Sequence, residues 1–249
     1  EYTVIFWADN ANAPYTVDWA TGTLTVDYAN VLSNNEELDA FYAKHTFTVK
    51  GAQTETVYLK RPFAQVNIGT NDYAAAKSAG YEPEYSYVKV SKIYNTLNLW
   101  NGAVSNEEEV TYKYTNIPAG ETFPVTGYEY LAMNYLLIGA DESTVDVEFG
   151  YGESNTAADK TRTVGSVPVQ RNYRTNIYGQ LLTSDVDINV VIEPTYEGAH
   201  ELDAIHKAAL NGGSVTLTED VVLTTPLEVM AAMTIDLNGY NINNPVGYA

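Results

Sequence analysis

Short runs of alternating apolar and polar residues fill most of this chain, and this pattern constrains the fold more than any other feature. Alternation with a period of two puts the apolar side chains on one face of an extended strand, so each run predicts a half-buried β-strand. Turn-forming pairs such as Thr21-Gly22 and Asn101-Gly102 separate the runs. The runs cover residues 2–7, 15–26, 47–49, 56–68, 87–99, 110–115, 131–138, 145–151, 163–169, 176–182 and 186–192. Strands at this spacing predict an all-β protein made of antiparallel β-sandwiches rather than a parallel sheet with crossover helices.

Three short helices are predicted between these strands. The first follows the capping pair Asn34-Asn35 and carries Leu38, Phe41 and Tyr42 on one face. The second spans residues 72–79 and is followed by Gly80, and the third spans 201–210 with glycines at 212–213 beyond it. All three are short enough to be connectors.

The pause in the alternation at the second helix predicts a boundary between two domains. Residues 1–70 are predicted to form a partial N-terminal β-sandwich, and residues 71–197 a second β-sandwich. The first is predicted to be incomplete because it offers about five strands, where such folds usually need about seven.

Residues 198–249 follow a different pattern, in which very short strands are separated by Thr-Glu-Asp and Asn-Gly turns. After the third helix, this pattern predicts the first coils of a right-handed parallel β-helix. A solenoid needs about three coils to bury its axis. We therefore expect either a truncated product or coils that borrow burial from the second sandwich.

The chain is strongly acidic and has no cysteine. It contains 32 Asp and Glu residues against 13 Lys and Arg residues, a formal net charge of −19. This charge repels phosphates and anionic lipids, so it disfavours nucleic acid and direct membrane-surface binding, whereas cationic partners and simple solubility both stay open. The lack of cysteine excludes disulfides, cysteine-ligated zinc and thiol catalysis.

The two ends of the sequence bear on export. No apolar run reaches the roughly 18–20 residues of a membrane span, and no signal peptide precedes Glu1. Because residues 2–7 already read as a strand, we expect that export signals and some upstream sequence have been removed.

Histidine-based catalysis is not predicted. The three histidines are His45, at the end of the first predicted helix, and His200 and His206, on a linker and the third helix. No Gly-x-Ser-x-Gly elbow is present to supply a nucleophile beside a base. The sequence therefore favours a structural role for each histidine and predicts a protein that is not an enzyme.

Carboxylates and metal ligands give a similar result. The acidic clusters at 107–109 and 141–142 are predicted to be solvated loops, and the Asx-rich segment 9–12 to be a turn rather than a calcium site. If the chain is an enzyme, Glu219, Asp220 and Asp236 in the β-helix-like region are the better candidates by analogy with polysaccharide-binding solenoids. We predict no cofactor and no metal.

Tyrosine is abundant, with 21 residues, and several lie on predicted strands of the second domain. Tyrosines in sheets mostly cover a half-exposed face, but a cluster can also present a flat surface to a sugar or a protein. As contacts for a partner or a glycan we name Tyr112, Tyr114, Tyr128 and Tyr130. Both interpretations stay open.

Three motifs together resemble a known family. Residues 58–67 (YLKRPFAQVN), 127–135 (GYEYLAMNY) and 167–179 (VPVQRNYRTNIYG) are similar, in this order, to strands of fimbrillin-like surface proteins of anaerobic Gram-negative bacteria, and to a fimbrillin-like domain of unknown function. The similarity runs over about residues 1–195. It implies two transthyretin-like β-sandwiches, anchoring to the outer membrane through an N-terminal lipid signal, and assembly in which some relatives accept a strand from the next subunit.

The sequence therefore predicts a non-enzymatic cell-surface adhesin or fimbrial component, in which the sandwiches act as a stalk or platform. The expected partners are other fimbrial subunits, or a surface protein or glycan of a host or bacterium. The alternative is a surface glycan-binding or polysaccharide-processing protein with its site in the C-terminal β-helix.

Overall fold

The computed structural model describes residues 1–184, 188–193, 205, 208–209, 212–222, 229 and 231–243. The chain divides into two compact units, Glu1–Tyr196 and Glu197–Ala249. Strands dominate the residues described in each unit, in agreement with the prediction of an all-β protein.

Strands and short helices of the first unit follow one another along the described residues. They are β1 (Tyr2–Asp9), β2 (Tyr15–Asp18), β3 (Thr23–Val26), a 3-10 helix (Glu36–Leu38), β4 (Ala40–Phe47), β5 (Phe63–Thr70), α1 (Tyr73–Ser78), β6 (Tyr85–Asn98), β7 (Val104–Asn116), β8 (Glu129–Leu137), β9 (Ser143–Gly152), β10 (Lys160–Val169), β11 (Arg174–Gly179) and β12 (Asn189–Glu193).

A six-stranded antiparallel sheet is organised around the long strand β6. Its order is β10-β9-β6-β3-β2, and β7 pairs along the other edge of β6. The first half of β6 pairs with β9 and its end pairs with β3, so both lie on the edge opposite β7. The β2–β3 and β6–β7 turns are thereby brought to the same end of the sheet.

A four-stranded sheet has the order β12-β11-β5-β8. Here β5 pairs antiparallel with β8 but parallel with β11, so the prediction of purely antiparallel sheets is wrong at this pair. Alternation reports which face a side chain occupies and contains no information about the direction of a neighbouring strand. β5 is buried at all eight positions, as expected of a strand covered on both faces.

Both sheets contribute side chains to one hydrophobic core. Leu24 and Val90 of the six-stranded sheet belong to the same cluster of buried residues as Ile68 and Leu136 of the four-stranded sheet. Strands from both sides of the predicted boundary at residue 70 share sheets, since β3 pairs with β6 and β5 with β8 and β11. The pause in alternation predicts separate domains for residues 1–70 and 71–197. In the described residues, strands from the two sides of this boundary complete one another's sheets.

The segment around the first predicted helix is mostly strand. Only Glu36–Leu38 is helical, with the Asn35 side chain accepting a hydrogen bond from Glu37 N at 3.0 Å, and β4 begins at Ala40. The helix prediction is wrong beyond Leu38 because β4 pairs with the distant β1, and this tertiary pairing overrides the local pattern. Helix α1 lies where the second helix was predicted.

The second unit contains two pairs of short parallel strands in its described part. β13 (Gly213–Thr216) pairs with β15 (Met233–Asp236), and β14 (Val221–Val222) pairs with β16 (Ile242–Asn243). A small core contains Ile205, Ala208, Val215 and Leu217. Parallel pairing between segments about 20 residues apart is typical of successive coils, and the β-helix itself stays a prediction. The third predicted helix and residues 198–204 lie largely outside the described residues.

Candidate binding surfaces

The one histidine that the structure describes lies on a strand and not at a helix end. His45 is part of β4, its ring stacks on Phe47 with centroids 5.9 Å apart, and its Nε2 lies 3.3 Å from Glu55 Oε2. This position corrects the prediction, because the predicted helix does not reach His45. His200 and His206 lie outside the described residues.

The acidic cluster 107–109 lies within strand β7, so its prediction as a loop is wrong. Glu108 Oε1 accepts a hydrogen bond from Asn95 Nδ2 at 2.7 Å, and Glu109 Oε1 lies 2.8 Å from Lys89 Nζ. The hydrogen bond from Lys89 to Glu109 raises the pKa of this lysine. These carboxylates form exposed pairs across β6 and β7, whereas 141–142 lie in the loop between β8 and β9, as predicted.

Two of the three carboxylates named for the second unit organise turns. Asp220 Oδ1 accepts a hydrogen bond from Asn241 N at 2.7 Å. Asp236 Oδ1 accepts one from Asn238 N at 3.0 Å. Both acidic groups therefore bind backbone amides of the second unit itself, and Glu219 lies beside Asp220 in a bend.

Asp72 is the most enclosed carboxylate among the described residues of the first unit, with 5% of its surface exposed. Its oxygens accept hydrogen bonds from the Thr183 amide at 2.7 Å, from the Thr183 hydroxyl at 2.7 Å, from Leu182 N at 3.2 Å and from the Thr70 hydroxyl. Burial raises the pKa of Asp72, but the hydrogen bonds from Thr70, Thr183 and Leu182 outweigh it, so the pKa lies below its ordinary value. Asp72 thereby ties the end of β5 to the segment after β11.

The cationic residues of the resemblance motifs also bind the chain itself. Arg61 forms a two-pronged ion pair with Asp39, with Nε–Oδ1 and Nη2–Oδ2 distances of 2.8 Å. Arg174 Nη2 lies 3.2 Å from Glu193 Oε2. Arg171 Nη2 donates hydrogen bonds to the backbone carbonyl oxygens of Gly102 and Ile138. Arg171 therefore connects two loops through hydrogen bonds to the backbone.

The four tyrosines named from the sequence lie in three different environments. Tyr112 is completely buried in the core and donates its hydroxyl to Tyr135 O at 2.6 Å, so it is not available to a partner in this conformation. Tyr114 is half-buried against Tyr87, at 4.8 Å between ring centroids. Tyr128 and Tyr130 are half-buried, and each packs against the ring of Phe123. Contact of Tyr114, Tyr128 or Tyr130 with a partner stays a prediction.

Two exposed tryptophans, which the sequence analysis missed, lie on adjacent turns. Trp19 is 59% exposed on the β2–β3 turn, and Trp100 is 43% exposed on the β6–β7 turn. We call residues 18–22 and 98–102 the tryptophan turns. Their backbones are joined by a hydrogen bond from Leu99 N to Gly22 O at 2.8 Å.

The tryptophan turns have the same construction. In the first, Gly22 N donates to Asp18 O at 2.7 Å, and the Asp18 carboxylate accepts from Ala20 N at 2.9 Å. In the second, Gly102 N donates to Asn98 O at 2.7 Å. The two glycines have φ of +67° and +74°, the left-handed region that favours glycine.

The Asn98 side chain plays the role in the second turn that Asp18 plays in the first. Its Oδ1 accepts hydrogen bonds from Trp100 N at 2.9 Å and from Asn101 N at 3.2 Å. Lys44 Nζ on β4 donates to Trp100 O at 2.6 Å. The sequence signal that could have found this surface is a tryptophan within each predicted Gly turn.

A second exposed surface is the edge of the two-stranded sheet β1–β4. β1 pairs with β4 in continuous register from Tyr2↔Phe47 to Asp9↔Ala40, and no other strand of the described residues pairs with it. Tyr2 is 61% exposed. The outer edge of β1 therefore presents backbone groups beside apolar side chains.

The described residues contain neither a membrane-spanning helix nor a cluster of metal ligands. Nowhere in the described ranges is a helix both long and apolar enough to cross a bilayer. Nor do those ranges contain three or more His, Asp or Glu side chains grouped so that they could hold a metal ion.

Comparison with known proteins gives a family and several similar structures. No curated protein matches the chain in sequence. A "putative cell adhesion protein" of Bacteroides uniformis ATCC 8492 is 14% identical with a TM-score of 0.42, over 77% of this chain and 72% of that one. A "putative cell adhesion protein" of Bacteroides ovatus ATCC 8483 is 16% identical with a TM-score of 0.42, over 77% and 66%. A "putative adhesin" of Bacteroides ovatus is 13% identical with a TM-score of 0.35, over 76% and 69%. A family model described as "Family of unknown function (DUF6562)" matches residues 1–241.

Proposed function

The chain belongs to the family of unknown function DUF6562, and from this premise we propose that it is a non-enzymatic adhesin or fimbrial component of the cell surface. In this proposal, a rigid β framework holds out a surface to which another macromolecule binds. The observation that carries it is the open outer edge of β1 in the described part of the chain.

The edge of β1 lacks several of the usual protections of a strand edge. Edge strands are commonly short, or carry lysine, proline or a bulge that discourages pairing with another chain. β1 is eight residues long, contains no lysine or proline, and keeps continuous register with β4. An incoming strand would find backbone donors and acceptors along this edge, with the exposed rings of Tyr2 and Phe6 beside them.

The non-enzymatic part of the proposal is supported by what the enclosed ionisable groups contact. Asp72 accepts four hydrogen bonds from the chain's own residues, and Arg61 is paired with Asp39. A general acid or base needs a proton-exchanging atom that can reach a substrate. Ionisable groups bound in this way stabilise the fold, and their polar atoms are already engaged with the chain's own residues.

We place the protein at the outer membrane or in a fimbria of a Gram-negative bacterium. Fimbrial assembly would then be one form of strand addition at β1, with a second copy as the donor, and host or bacterial adhesion another. The parallel strand pairs of the second unit would be the first coils of a β-helix carried by this platform. A polysaccharide-processing site in those coils is not favoured, because Asp220 and Asp236 accept hydrogen bonds from turn amides.

The test uses neighbouring proline substitutions on the edge strand. In a strand, successive N–H groups point to opposite sides, so Val4→Pro and Ile5→Pro remove one N–H from the outer edge and one from the β4 ladder. Binding of the purified full chain to epithelial monolayers, and self-association measured by light scattering, are compared for the two variants and the unmodified chain.

We expect the variant that loses the outward N–H to lose association or cell binding while its melting temperature stays within a few degrees of the original. The other variant, which breaks the ladder to β4, is the matched control for damage to the hairpin. An unmodified chain that binds neither cells nor itself contradicts the proposal, and so do two variants that both bind as well as the original.

A further inference from the structure

The tryptophan turns are held rigidly by contacts within and between them. Each turn is closed by a glycine N–H and braced by an Asp or Asn side chain, and a backbone hydrogen bond joins the two. The second turn is tied further by Lys44 Nζ at Trp100 O and by Arg171 Nη2 at Gly102 O, at 2.6 and 2.9 Å. The two indole rings are therefore presented from a fixed backbone.

The ring of Trp100 lies directly against the first turn. A Cβ atom built on Gly22 would lie 2.2 Å from Trp100 Nε1, so the ring occupies the space that a side chain at position 22 would need. Trp100 therefore covers the turn that carries Trp19. This packing accounts for the position of Trp100, but it does not account for the 59% exposure of Trp19.

Exposed tryptophans in such a setting are suited to recognition. Burying an indole is strongly favourable, and a ring held on a rigid backbone loses little conformational entropy when a ligand covers it. Tryptophan is accordingly enriched among the residues that dominate binding energy. Single exposed aromatic rings are common on protein surfaces. Two rings on adjoining turns offer a ligand more apolar area than one such ring does.

The polar groups beside the rings point to a neutral ligand. Thr21 and Thr23 bring hydroxyls to the first turn. Asn98 and Asn101 bring amide groups to the second turn, and their Oδ1 atoms accept hydrogen bonds from nearby backbone N–H groups. The Asp18 carboxylate is occupied by Ala20 N and by the Thr21 hydroxyl, and the hydrogen bond from Thr21 is the main cause that lowers its pKa. Hydroxyls and amides next to an aromatic face match a pyranose ring, which has polar hydroxyls at its rim and electropositive C–H groups on its face.

The charge of the protein narrows this class further. The formal net charge of −19 disfavours the approach of sialylated, sulfated and phosphorylated sugars, and the two cations that contact the second turn, Lys44 and Arg171, donate to the carbonyl oxygens of Trp100 and Gly102. A neutral sugar carries no charge on which this field can act. We propose that the tryptophan turns bind the face of a neutral hexopyranose at the end of a glycan. This inference rests on the proposed adhesive function and names the class of ligand that one adhesive surface would recognise.

The test is binding of the full chain to an array of neutral oligosaccharides, printed beside their sialylated counterparts as matched anionic probes. Neutral probes that bind are then titrated by calorimetry against the original chain and against Trp19→Ala, Trp100→Ala and Trp100→Phe. Tyr58→Ala is the matched control, because Tyr58 is 48% exposed, between Trp100 at 43% and Trp19 at 59%, and lies in the segment between β4 and β5.

We expect neutral probes to bind and their sialylated counterparts not to bind. Trp19→Ala and Trp100→Ala should each weaken binding roughly tenfold, the upper end of what one aromatic contact contributes. Trp100→Phe should weaken it less, and Tyr58→Ala should leave it unchanged. Binding of the sialylated probes alone, no binding to any probe, or equal binding by Trp19→Ala and the original chain would each overturn the inference.

A parallel assay separates this inference from the proposed function. Binding to epithelial monolayers is measured before and after periodate, which cleaves the vicinal diols of surface sugars. Adhesion that survives both periodate and Trp19→Ala overturns the glycan inference and leaves the adhesive function standing. Adhesion that is lost after periodate treatment and is also lost in Trp19→Ala supports both the glycan inference and the adhesive function.

Discussion

Strands β1 and β5 have the same length and opposite environments. β5 (Phe63–Thr70) is buried at all eight positions, although its sequence includes Gln65 and Asn67. β1 (Tyr2–Asp9) is fully buried at none of its eight positions, although it contains the run Val-Ile-Phe-Trp. The more apolar strand is therefore the more exposed one.

The difference follows from the neighbours of each strand. β5 pairs with β8 on one edge and with β11 on the other, and the amide nitrogen of Asn67 donates to Asn176 Oδ1 at 3.0 Å, although Asn67 Oδ1 has no hydrogen-bond partner among the described residues. β1 pairs with one strand and has one open edge in the part of the chain that the structure describes. Burial is thus set by position in a sheet, and polar residues are tolerated inside when they are hydrogen-bonded.

The largest predicted effect comes from the same substitution made in both strands. Ile68→Ala in β5 removes a side chain with 0% exposure, and we expect it to lower the free energy of unfolding by about 3–4 kcal/mol. Ile5→Ala in β1, where the side chain is half-buried, should cost about 1–2 kcal/mol. Urea denaturation followed by fluorescence measures both. Equal losses would show that β1 is as enclosed as β5 in solution.

The next effect compares the aspartates beside the two strands. Asp72→Asn replaces the anion that accepts hydrogen bonds from Thr70, Leu182 and Thr183, and should cost about 1–3 kcal/mol. Asp9→Asn, at the exposed end of β1, should change stability by less than about 0.5 kcal/mol.

The effect of Asp72 also depends on pH. Because its pKa in the folded state is lowered, its contribution is present above the unfolded pKa of about 3.9 and is lost as the pH falls through the folded value. Unfolding measured between pH 7 and pH 2 should show a smaller acid-induced loss for Asp72→Asn than for the original chain. Identical pH profiles would mean that this carboxylate is not held as the structure has it.

The smallest predicted effect is at the start of the open strand. Tyr2→Thr keeps a residue that favours strands and removes a ring that is 61% exposed, so stability should change by no more than about 0.5 kcal/mol. Thermal unfolding followed by circular dichroism measures it. A loss of 2 kcal/mol or more would show that the ring is covered in solution, and would contradict the open edge.

Much of the strand content could be predicted from alternation alone. The pattern located β9 and β10 to within about three residues, at 145–151 and 163–169, because each has one buried and one exposed face. The same pattern could have shown that Tyr112 is buried, since it lies two residues from Val110 on the same face of β7. The prediction of Tyr112 as a contact residue gave more weight to the chemistry of tyrosine than to the position of Tyr112 in the strand.

Other features depend on pairing between distant segments and have no local signal. The spacing of Leu38 and Phe41 fits a helix, yet Phe41 pairs with Ala8 of β1. The parallel pairing of β5 with β11 joins residues more than a hundred positions apart. Likewise, Gly22 and Asn101 each mark a turn, but only the β3–β6 pairing shows that the two turns are neighbours.

The contact of Trp100 with Gly22 has a practical consequence for protein engineering. Neither tryptophan turn can be replaced alone, because a bulkier residue at Gly22 would displace the Trp100 ring, and replacement of the second turn would remove that ring from Gly22. A peptide epitope grafted at this site would therefore have to replace both tryptophan turns together. The turn at Gly120 is a better insertion point, since a Cβ atom there meets no atom within 4 Å.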